Sequence, residues 1–415
     1  MRLRSVLLAG LVVLAAGCAW PMAGQSPERN GWARDDTTVT PANAGTLAAG
    51  WVGAVGSAPA EVVGDRDLLV ARNGTDLTGL DPATGAVRWS RYLPGAGTPG
   101  VRSDFLYLPA SDRRCSIVQA SRATGLTVGR LDLGPEPGPL WSSTCTTGDV
   151  IVDGDTIIVP WSQRMTKTGP CGENVIAASG LTAYSPDLTV KWFDSSSVAV
   201  CGLPPIPPHN LPHVTKVGSR FVAASAGETG KVYDPDQCVD FSVCAPVANA
   251  LTTAGTWVPV ADSWTSRNAA RLVNVDGATQ AIRWRSTDPA GNAARTVTAD
   301  PALDGDRAFT PSGTSGADAT LAAYALGCTS ATCAPQWTVA LPAVAIVRPS
   351  IAGDVVLAAT SDGHLVLASR SACGSASCPV LRTLNLAGTP TAAPTIVNGR
   401  ILVPTTTGVE TFALP

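Results

Sequence analysis

One short unit recurs along this chain: an apolar strand, an Asp-x-x-Thr turn, and a second strand that carries a tryptophan. It is clearest at 77–93, LTGLDPATGAVRWSRYL, and it returns at 273–286, VNVDGATQAIRWRS, with Trp284 where Trp89 stood. Asp and Pro initiate turns, Gly permits a positive φ, and Val and Trp suit a half-buried sheet. The unit therefore predicts a β-hairpin.

Weaker copies of this unit lie at 118–133, 181–193, 321–341 and 365–386. Most copies follow a second unit, in which two apolar runs flank a turn such as Gly-Asp. Together the two units give four short strands per repeat, at a spacing of about 40 to 50 residues that is typical of a β-propeller. One repeat cannot bury both faces of its sheet, so the blades must stack in a ring.

The repeats resemble the quinoprotein-type (pyrroloquinoline-quinone-like) propeller family, whose consensus is an apolar strand, Asp-x-x-Thr-Gly and then Trp. The resemblance covers roughly residues 38–415. It implies an all-β fold, a single β-propeller of four-stranded blades. It says less about function, because the family contains both quinone-dependent dehydrogenases and non-catalytic scaffolds.

The blade count follows from the positions of the repeats. The segment Leu47–Val52 is a strand without a blade of its own, and the last blade has only three strands, so we expect this segment to close the ring. Only ten residues separate Cys244 from Gly255, which leaves seven blades as the alternative to eight. The eight predicted blades lie at about 58–93, 99–133, 149–194, 214–250, 251–287, 300–341, 348–386, and 393–415 with 45–55.

The N-terminus reads as a targeting segment. Arg2 and Arg4 form a basic region, and the apolar run at 5–16 is too short to span a bilayer. The following Leu-Ala-Ala-Gly-Cys resembles a bacterial lipobox, in which Cys18 becomes the lipidated first residue of the mature protein. The alternative is an ordinary signal peptide followed by a chance cysteine.

This interpretation divides the chain into a signal peptide (1–17), a lipidated Cys with a polar tether (18–36) and the propeller (37–415). It predicts an exported monomer that is lipid-anchored to the outer side of the cytoplasmic membrane. The formal net charge is −3 and no basic run occurs, so nucleic acid is excluded as a partner. The preference for Arg over Lys and the abundance of Ala and Gly indicate a GC-rich genome, as in actinobacteria.

The ten cysteines after Cys18 predict disulfides, because an even number is typical of exported domains. Zinc is the alternative, but the usual second pair or His partners at short spacing are missing. Three pairs replace the Asp-x-x-Thr-Gly turn and would staple hairpin tips: Cys238–Cys244, Cys328–Cys333 and Cys373–Cys378. The other four lie in loops that share one face of a propeller, which favours the pairs Cys115–Cys145 and Cys171–Cys201.

The two longest connections, Ser162–Ser179 and Ser195–His213, open on that same face and predict a functional surface. Trp and Arg residues outside the repeats are candidates for it, since these types are enriched at interface hot spots; packing beneath a loop is the alternative. Prolines around the two histidines of the second loop exclude a helical metal-binding pair, so we predict no metal site. The candidate surface comprises Trp141, Trp161, Arg164, His209, His213, Trp264 and Arg267.

For the dehydrogenases, the resemblance implies a quinone on the ring axis, calcium held by Glu and Asn, and an Asp as base. None of the six glutamates lies in a context that resembles a calcium-ligand motif, and no two cysteines are adjacent. We therefore predict no cofactor and no catalytic residue, and a non-catalytic scaffold for an unknown extracytoplasmic protein. The alternatives are a quinone-dependent dehydrogenase and a receptor for carbohydrate or small molecules.

Overall fold

A computed structural model gives the architecture of the chain. It describes residues 19–26, 29–56, 58–95, 97–169, 172–201, 213–217, 219–224, 230–233, 242–243, 248–250, 258–260, 263–268, 270–277, 279, 281–288 and 296–415. In this part of the chain, no helix combines the length and the apolar character needed to cross a membrane.

Eight antiparallel sheets follow one another around a ring, which confirms the all-β propeller with eight rather than seven blades. The first half contains β1 (Trp32–Ala33), a 3-10 helix (Ala44–Thr46), β2 (Ala48–Gly53), β3 (Val63–Gly64), β4 (Leu69–Asn73), β5 (Asp76–Leu80), β6 (Val87–Tyr92), β7 (Gly100–Arg102), β8 (Phe105–Ser111), β9 (Cys115–Ser121), β10 (Thr127–Asp132), β11 (Ser142–Thr147), β12 (Ile151–Asp153), β13 (Thr156–Gly169), β14 (Gly172–Tyr184), β15 (Val190–Cys201), β16 (His213–Val217), β17 (Arg220–Ala224), β18 (Gly230–Tyr233), β19 (Ser242–Val243) and β20 (Ala248–Ala250). The second half contains β21 (Val258–Val260), β22 (Ser263–Asn268), β23 (Arg271–Asp276), β24 (Ile282–Ser286), β25 (Ala302–Leu303), β26 (Arg307–Ser312), β27 (Thr320–Ala325), β28 (Thr332–Cys333), β29 (Trp337–Ala340), β30 (Ser350–Ala352), β31 (Val355–Thr360), β32 (His364–Ser369), β33 (Arg382–Asn385), β34 (Thr395–Val397), β35 (Arg400–Thr405) and β36 (Gly408–Ala413).

The ring closes as the sequence predicts. β2 pairs antiparallel with β36, with Ala48 opposite Ala413 and Gly53 opposite Val409, so the N-terminal strand is the outermost strand of the C-terminal blade. Each blade begins with a short, buried inner strand, such as β3 or β34, and ends with a half-exposed outer strand, such as β6. Joining the two ends of the chain in one sheet closes the ring and gives the last blade its fourth strand.

The Asp-x-x-Thr spacing of the repeat has a local cause. The Asp81 carboxylate accepts hydrogen bonds from the backbone N–H groups of Ala83 and Thr84 and from the Thr84 hydroxyl, and it is paired with Arg88 at 2.6 Å. The Arg88 guanidinium, together with these turn donors, lowers the pKa of Asp81 to about 2. The turn is therefore held by one carboxylate that stays ionised at neutral pH.

The repeat tryptophan joins one blade to the next. Trp89 Nε1 donates to the carbonyl oxygen of Arg122 at 2.9 Å, and Trp51 Nε1 donates to that of Pro82 at 3.2 Å. Each acceptor belongs to the turn of the following blade. A Cβ on Gly85, whose φ is +71°, would lie 2.3 Å from the Trp51 ring. The Gly and the Trp of the repeat are thus the two halves of one inter-blade contact, and the predicted packing role is confirmed by the burial of Trp89, Trp192, Trp284 and Trp337.

The blades whose turn carries cysteines also contact the preceding blade through the backbone. β28 pairs in parallel with β24, and β19 pairs in parallel with β15. In the seventh blade, the N–H of Cys378 donates to the carbonyl oxygen of Thr338 at 2.7 Å. At the sixth blade this backbone pairing adds to the tryptophan contact, since Trp284 Nε1 still donates to the carbonyl oxygen of Leu326 at 3.1 Å.

The propeller has two distinct faces. We call one the turn face: it carries the turns between first and second strands, such as 65–68, 103–104, 154–155 and 353–354. The opposite face, where second strands connect to third strands and fourth strands leave a blade, is called the arm face. Each inner strand runs from the arm face toward the turn face.

The N-terminal segment enters the ring axis from the turn face. Trp20 pairs antiparallel with Gly64, the last residue of β3, through two backbone hydrogen bonds of 2.7 and 2.8 Å. The chain then passes the inner strands of the second and third blades, where Pro21 accepts from Val101 N and Met22 Sδ lies 3.4 Å from Val152 N. The segment therefore runs inward, toward the arm face.

The segment turns around near the arm face and returns along the opposite side of the axis. Gly31 N donates to Gly24 O at 3.1 Å, which closes the bend. β1 then pairs in parallel with β30 of the seventh blade, with Trp32 opposite Ile351. The chain leaves at the turn face, where the Asp36 carboxylate accepts from Gly399 N. The Asn30 carbonyl oxygen also accepts from Leu303 N of the sixth blade at 2.9 Å. Residues 19–26 and 29–36 thus form an axial hairpin that contacts six blades.

This hairpin corrects the predicted tether over 18–36. Trp20 is fully buried and Met22 is 3% exposed, and both pack in the cores formed by the inner strands. The polar composition of the segment is misleading, because its backbone and polar side chains find partners on the inner strands rather than in solvent. Cys18 and the predicted signal peptide lie outside the described residues.

Candidate functional site

The ring axis is the place where the resemblance implies a cofactor, and its acidic group is Glu61. Both of its oxygens are engaged: Oε1 accepts from Trp20 Nε1 at 2.6 Å and from Gly24 N at 2.7 Å, and Oε2 lies 3.4 Å from Arg348 Nη2. A second ion pair of 2.7 Å joins Arg29 of the hairpin to Asp149 beside the third blade. These polar side chains fix the hairpin to the ring.

The residues of the axis do not fit a quinone with a calcium ion. The hairpin runs along the axis with the Trp20 indole fully buried, and the Glu61 carboxylate is already used by the hairpin. Within the described ranges, no group of three or more His, Cys, Asp or Glu side chains could hold a metal ion. The chemistry that the dehydrogenases perform on their axis has no counterpart in these side chains.

Burial of Glu61 raises the pKa of its carboxyl above the usual value of 4.5, and the nearby Arg348 only partly offsets this. The folded state therefore holds the Glu61 proton more tightly than the unfolded state. This proton contributes fully to the free energy of unfolding below about pH 4.5, and the contribution is lost as the pH rises through the folded pKa. We expect Glu61→Gln, which keeps an acceptor for Trp20, to flatten the fall in the free energy of unfolding above pH 4.5.

Denaturant unfolding between pH 4 and pH 8 measures this slope. The matched control is Glu136→Gln, because the Glu136 side chain is 81% exposed, and it should leave the slope unchanged. Equal slopes for wild type and Glu61→Gln would show that the carboxyl is not held in a dry axial site.

The third blade carries a second feature, an extension of its sheet beyond the arm face. β13, β14 and β15 have 14, 13 and 12 residues, about twice the usual blade strand, and β11 pairs with the extended part of β13. We call the four-stranded extension the arm: β11 with 162–169, 172–179 and 195–201.

The arm corrects the prediction of two long loops over Ser162–Ser179 and Ser195–His213. Most of the first is a β-hairpin, and the second begins as strand through Cys201. The alternation at 161–166 was the available signal: Trp161, Gln163 and Met165 are buried while the residues between them are partly exposed. Both segments do lie on one face of the propeller, the arm face, as the sequence predicts. Residues 202–212 lie outside the described residues.

A cavity of about 570 Å³ lies at the base of the arm. Its walls come from the end of the second blade's outer strand and from the inner surface of the arm. The floor is Trp161, which is 3% exposed and donates from Nε1 to the Thr182 hydroxyl at 3.1 Å. The lining is mainly apolar with a few polar groups, as is typical of ligand sites: Leu131, Asp132, Leu133, Gly134, Pro135, Trp161, Ala178, Thr182, Val190, Phe193, Ser195 and Ser197.

A disulfide supports one wall of this cavity. Cys115 in the second blade is bonded to Cys145 in β11, with a Cα–Cα distance of 5.2 Å, which agrees with the sequence-based pairing. The bridge packs in one cluster with Trp161, Ala178 and Leu133, all of which line the cavity. The covalent link therefore fixes the arm relative to the second blade and holds the cavity open between them.

The outer surface of the arm combines exposed apolar and cationic groups. Leu140 is 73% exposed, and the neighbouring Trp141 ring has Lys167 Nζ at 5.9 Å from its centroid. Arg164 lines a shallow groove with three hydroxyl side chains, those of Ser142, Thr144 and Thr166. Aromatic and Arg side chains beside an exposed Leu are typical of protein-binding surfaces.

The structure brings together only some of the predicted surface residues. Trp141, Trp161 and Arg164 belong to the arm, and Trp161 forms a cavity floor rather than an exposed contact. Arg267 is in the fifth blade, where its Nε lies 3.6 Å from Asp300, so it links two blades. Trp264 and His213 are in strands β22 and β16, but their side chains lie outside the described residues, as does His209. Sequence reasoning missed Phe193 and the 131–135 wall, because the cavity arises only where two blades meet.

The remaining cysteines differ from one another. Cys373 and Cys378 form the predicted hairpin staple, with a Cα–Cα distance of 5.6 Å. Cys328 and Cys333 are free thiols, so the predicted bridge between them is absent. Cys333 is buried in a short strand paired with the preceding blade, and its Sγ contacts Ala325 O, whereas Cys328 Sγ contacts Thr332 O. Cys171, Cys238, Cys244 and the Cys201 side chain lie outside the described residues.

Part of the chain is similar in sequence to a known protein family. Residues 29–184 match the family model described as "Outer membrane protein assembly factor BamB", a family of PQQ-like repeats. This match covers less than half of the chain, which as a whole folds as an eight-bladed propeller. No curated protein is detectably similar to it in sequence.

Similar solved structures include proteins of different kinds. A europium-containing methanol dehydrogenase superposes with a TM-score of 0.63 at 11% identity, over 95% of this chain and 98% of that chain. BamB from Moraxella catarrhalis gives 0.56 at 14% identity, over 88% and 97%. The quinohemoprotein alcohol dehydrogenase from Comamonas testosteroni gives 0.52 at 13% identity, over 96% and 80%. At these identities the likeness establishes the fold alone.

Proposed function

We propose that this protein is an exported lipoprotein, anchored at Cys18, that acts as a non-catalytic scaffold and binds an extracytoplasmic protein through the arm. The observation that carries the proposal is the contrast between the ring axis and the arm face. The axis, where related propellers could hold a cofactor, is filled by the chain's own hairpin. The arm face instead carries an ordered sheet with an apolar cavity and an exposed aromatic surface.

The cavity suits an apolar side chain of the partner as an anchor. Its floor, Trp161, is held by the hydrogen bond to the Thr182 hydroxyl and packs beside the disulfide of Cys115. Phe193 lies opposite Thr182 in the adjacent strand. A preformed pocket gains affinity by avoiding the cost of ordering its own side chains on binding. The Leu140–Trp141 surface would then contact the same partner at the periphery of the interface.

Photo-cross-linking in intact cells tests the scaffold function. A photoreactive amino acid at Leu140, which is 73% exposed, should give a discrete cross-linked protein. Ser195→Trp, at an exposed position lining the cavity, should reduce its yield by roughly tenfold, which corresponds to a loss of about 1.4 kcal/mol. The matched control is Ser90→Trp, an exposed outer-strand position in the first blade. Equal yields in the two variants would contradict binding at the cavity.

A receptor for a carbohydrate or small molecule is the second candidate, and the cavity volume favours it, because ligand pockets commonly measure about 300–1,000 Å³. It predicts a thermal shift with a cell-wall fragment or metabolite that Ser195→Trp abolishes and Ser90→Trp keeps.

The dehydrogenase alternative is suggested by the names of two similar structures. Pyrroloquinoline quinone and calcium, titrated into residues 19–415 in the oxidised state, should give no saturable change in quinone absorbance at micromolar concentrations. Tight binding with dye reduction in the presence of an alcohol or a sugar would contradict the scaffold proposal.

A further inference from the structure

The point at which the chain enters the ring determines which face of the propeller lies next to Cys18. Trp20 is fully buried and pairs with Gly64 beside the first turn of the turn face. Only Ala19 separates it from Cys18. A residue spans at most about 3.6 Å, so the Cα of Cys18 lies within about 7 Å of the Trp20 Cα. Any acyl chain on Cys18 must therefore leave the molecule at the turn face, close to the ring axis.

The direction of the hairpin supports this assignment independently. Trp20 runs antiparallel to β3, which itself runs toward the turn face, so the chain before Trp20 continues out of that face. The second strand of the hairpin, β1, runs parallel to β30, and the chain leaves at the same face. Both ends of the hairpin thus open on the turn face, and its bend lies toward the arm face.

The turn face is also compatible with a phospholipid surface. Its turns carry many Asp residues, and bases from neighbouring strands pair with four of them: the pairs are Arg122–Asp65 at 2.6 Å, Lys216–Asp153 at 2.7 Å, Lys191–Asp155 at 3.0 Å and Arg370–Asp354 at 2.8 Å. Paired carboxylates repel anionic head groups less than free ones would. The face can therefore approach a bilayer without a large electrostatic cost.

We propose that the turn face is the membrane-facing surface of the lipidated protein, and that the bilayer itself is its partner. The proposal rests on the lipid anchor proposed above. The short connection allows the body little freedom to rotate, since a flexible tether is missing. The arm and its cavity then point away from the membrane, toward soluble or surface-exposed proteins.

Fluorescence quenching by the bilayer tests this orientation. A fluorescent amino acid is introduced at Asp67 on the turn face or at Leu140 on the arm face; these side chains are 72% and 73% exposed. The acylated full-length mature protein is reconstituted in phosphatidylcholine–phosphatidylglycerol vesicles that contain a nitroxide head-group lipid. We expect quenching at Asp67 to be severalfold stronger than at Leu140.

A control variant isolates the role of the short connection. A twelve-residue Gly-Ser insertion between Cys18 and Ala19 supplies the missing tether, and it should remove most of the difference between the two positions. Equal quenching without the insertion, or stronger quenching at Leu140, would overturn the orientation while leaving the anchor intact. Mass spectrometry of the N-terminal peptide separates this from failure of the anchor, because an unmodified Cys18 would overturn both proposals.

Discussion

Trp20→Ala is expected to lower the free energy of unfolding by about 3–5 kcal/mol, the usual range for removal of a buried Trp. The indole is fully buried between the inner strands, and its Nε1 donates to Glu61. Truncation leaves a cavity on the axis and removes a hydrogen bond from a buried carboxyl group. Because the hairpin joins six blades, the loss of this one side chain weakens the ring as a whole.

Thermal or denaturant unfolding of residues 19–415 measures the effect. Trp141→Ala is the matched control, since that ring lies at the edge of the arm and is only partly buried; it should cost about 1 kcal/mol or less. If the two variants were equally stable, the N-terminal segment would not be packed in the ring.

Gly85→Ala is expected to cost roughly 2–5 kcal/mol. Two terms add: a residue with a Cβ is strained by about 1–2 kcal/mol at the φ of +71°, and overpacking adds about 1–3 kcal/mol. The new Cβ would lie 2.3 Å from the Trp51 ring, which closes the contact between the last and the first blade. The substitution therefore acts at the point where the ring is joined.

Gly74→Ala separates the two terms. Gly74 also has a positive φ, +55°, but a Cβ there would meet nothing within 4 Å. Its cost should be about 1–2 kcal/mol, from backbone strain alone. Equal costs at Gly74 and Gly85 would contradict the view that the repeat glycine is required by the tryptophan of the neighbouring blade.

The fold was predictable because its signals are local and repeated. The Asp-x-x-Thr-Gly turn and the following Trp predict a hairpin from one stretch of sequence, and their recurrence predicts the ring, its eight blades and its closure. The cysteine pairs Cys115–Cys145 and Cys373–Cys378 follow from the positions of turns within this framework.

The functional features were harder to predict because they depend on non-local contacts. The axial hairpin has no repeat pattern, and Trp20 finds its partners Gly64 and Glu61 more than forty residues away. The sequence predicts loops where the arm lies, because the Gly-Pro-Cys at 169–171 interrupts an otherwise alternating pattern. The cavity has walls from two blades, so no single stretch of sequence contains it.

Hydrogen exchange of residues 19–36, followed by mass spectrometry on the oxidised protein at neutral pH, tests the central claim most directly. The claim is that this segment fills the ring axis. The N–H groups of Trp20 and Gly31 donate to backbone carbonyl oxygens inside the ring, so the account predicts protection comparable to that of the inner strands. Complete exchange within seconds would show a solvated tether and an accessible axis, and would restore a cofactor site there as the leading hypothesis.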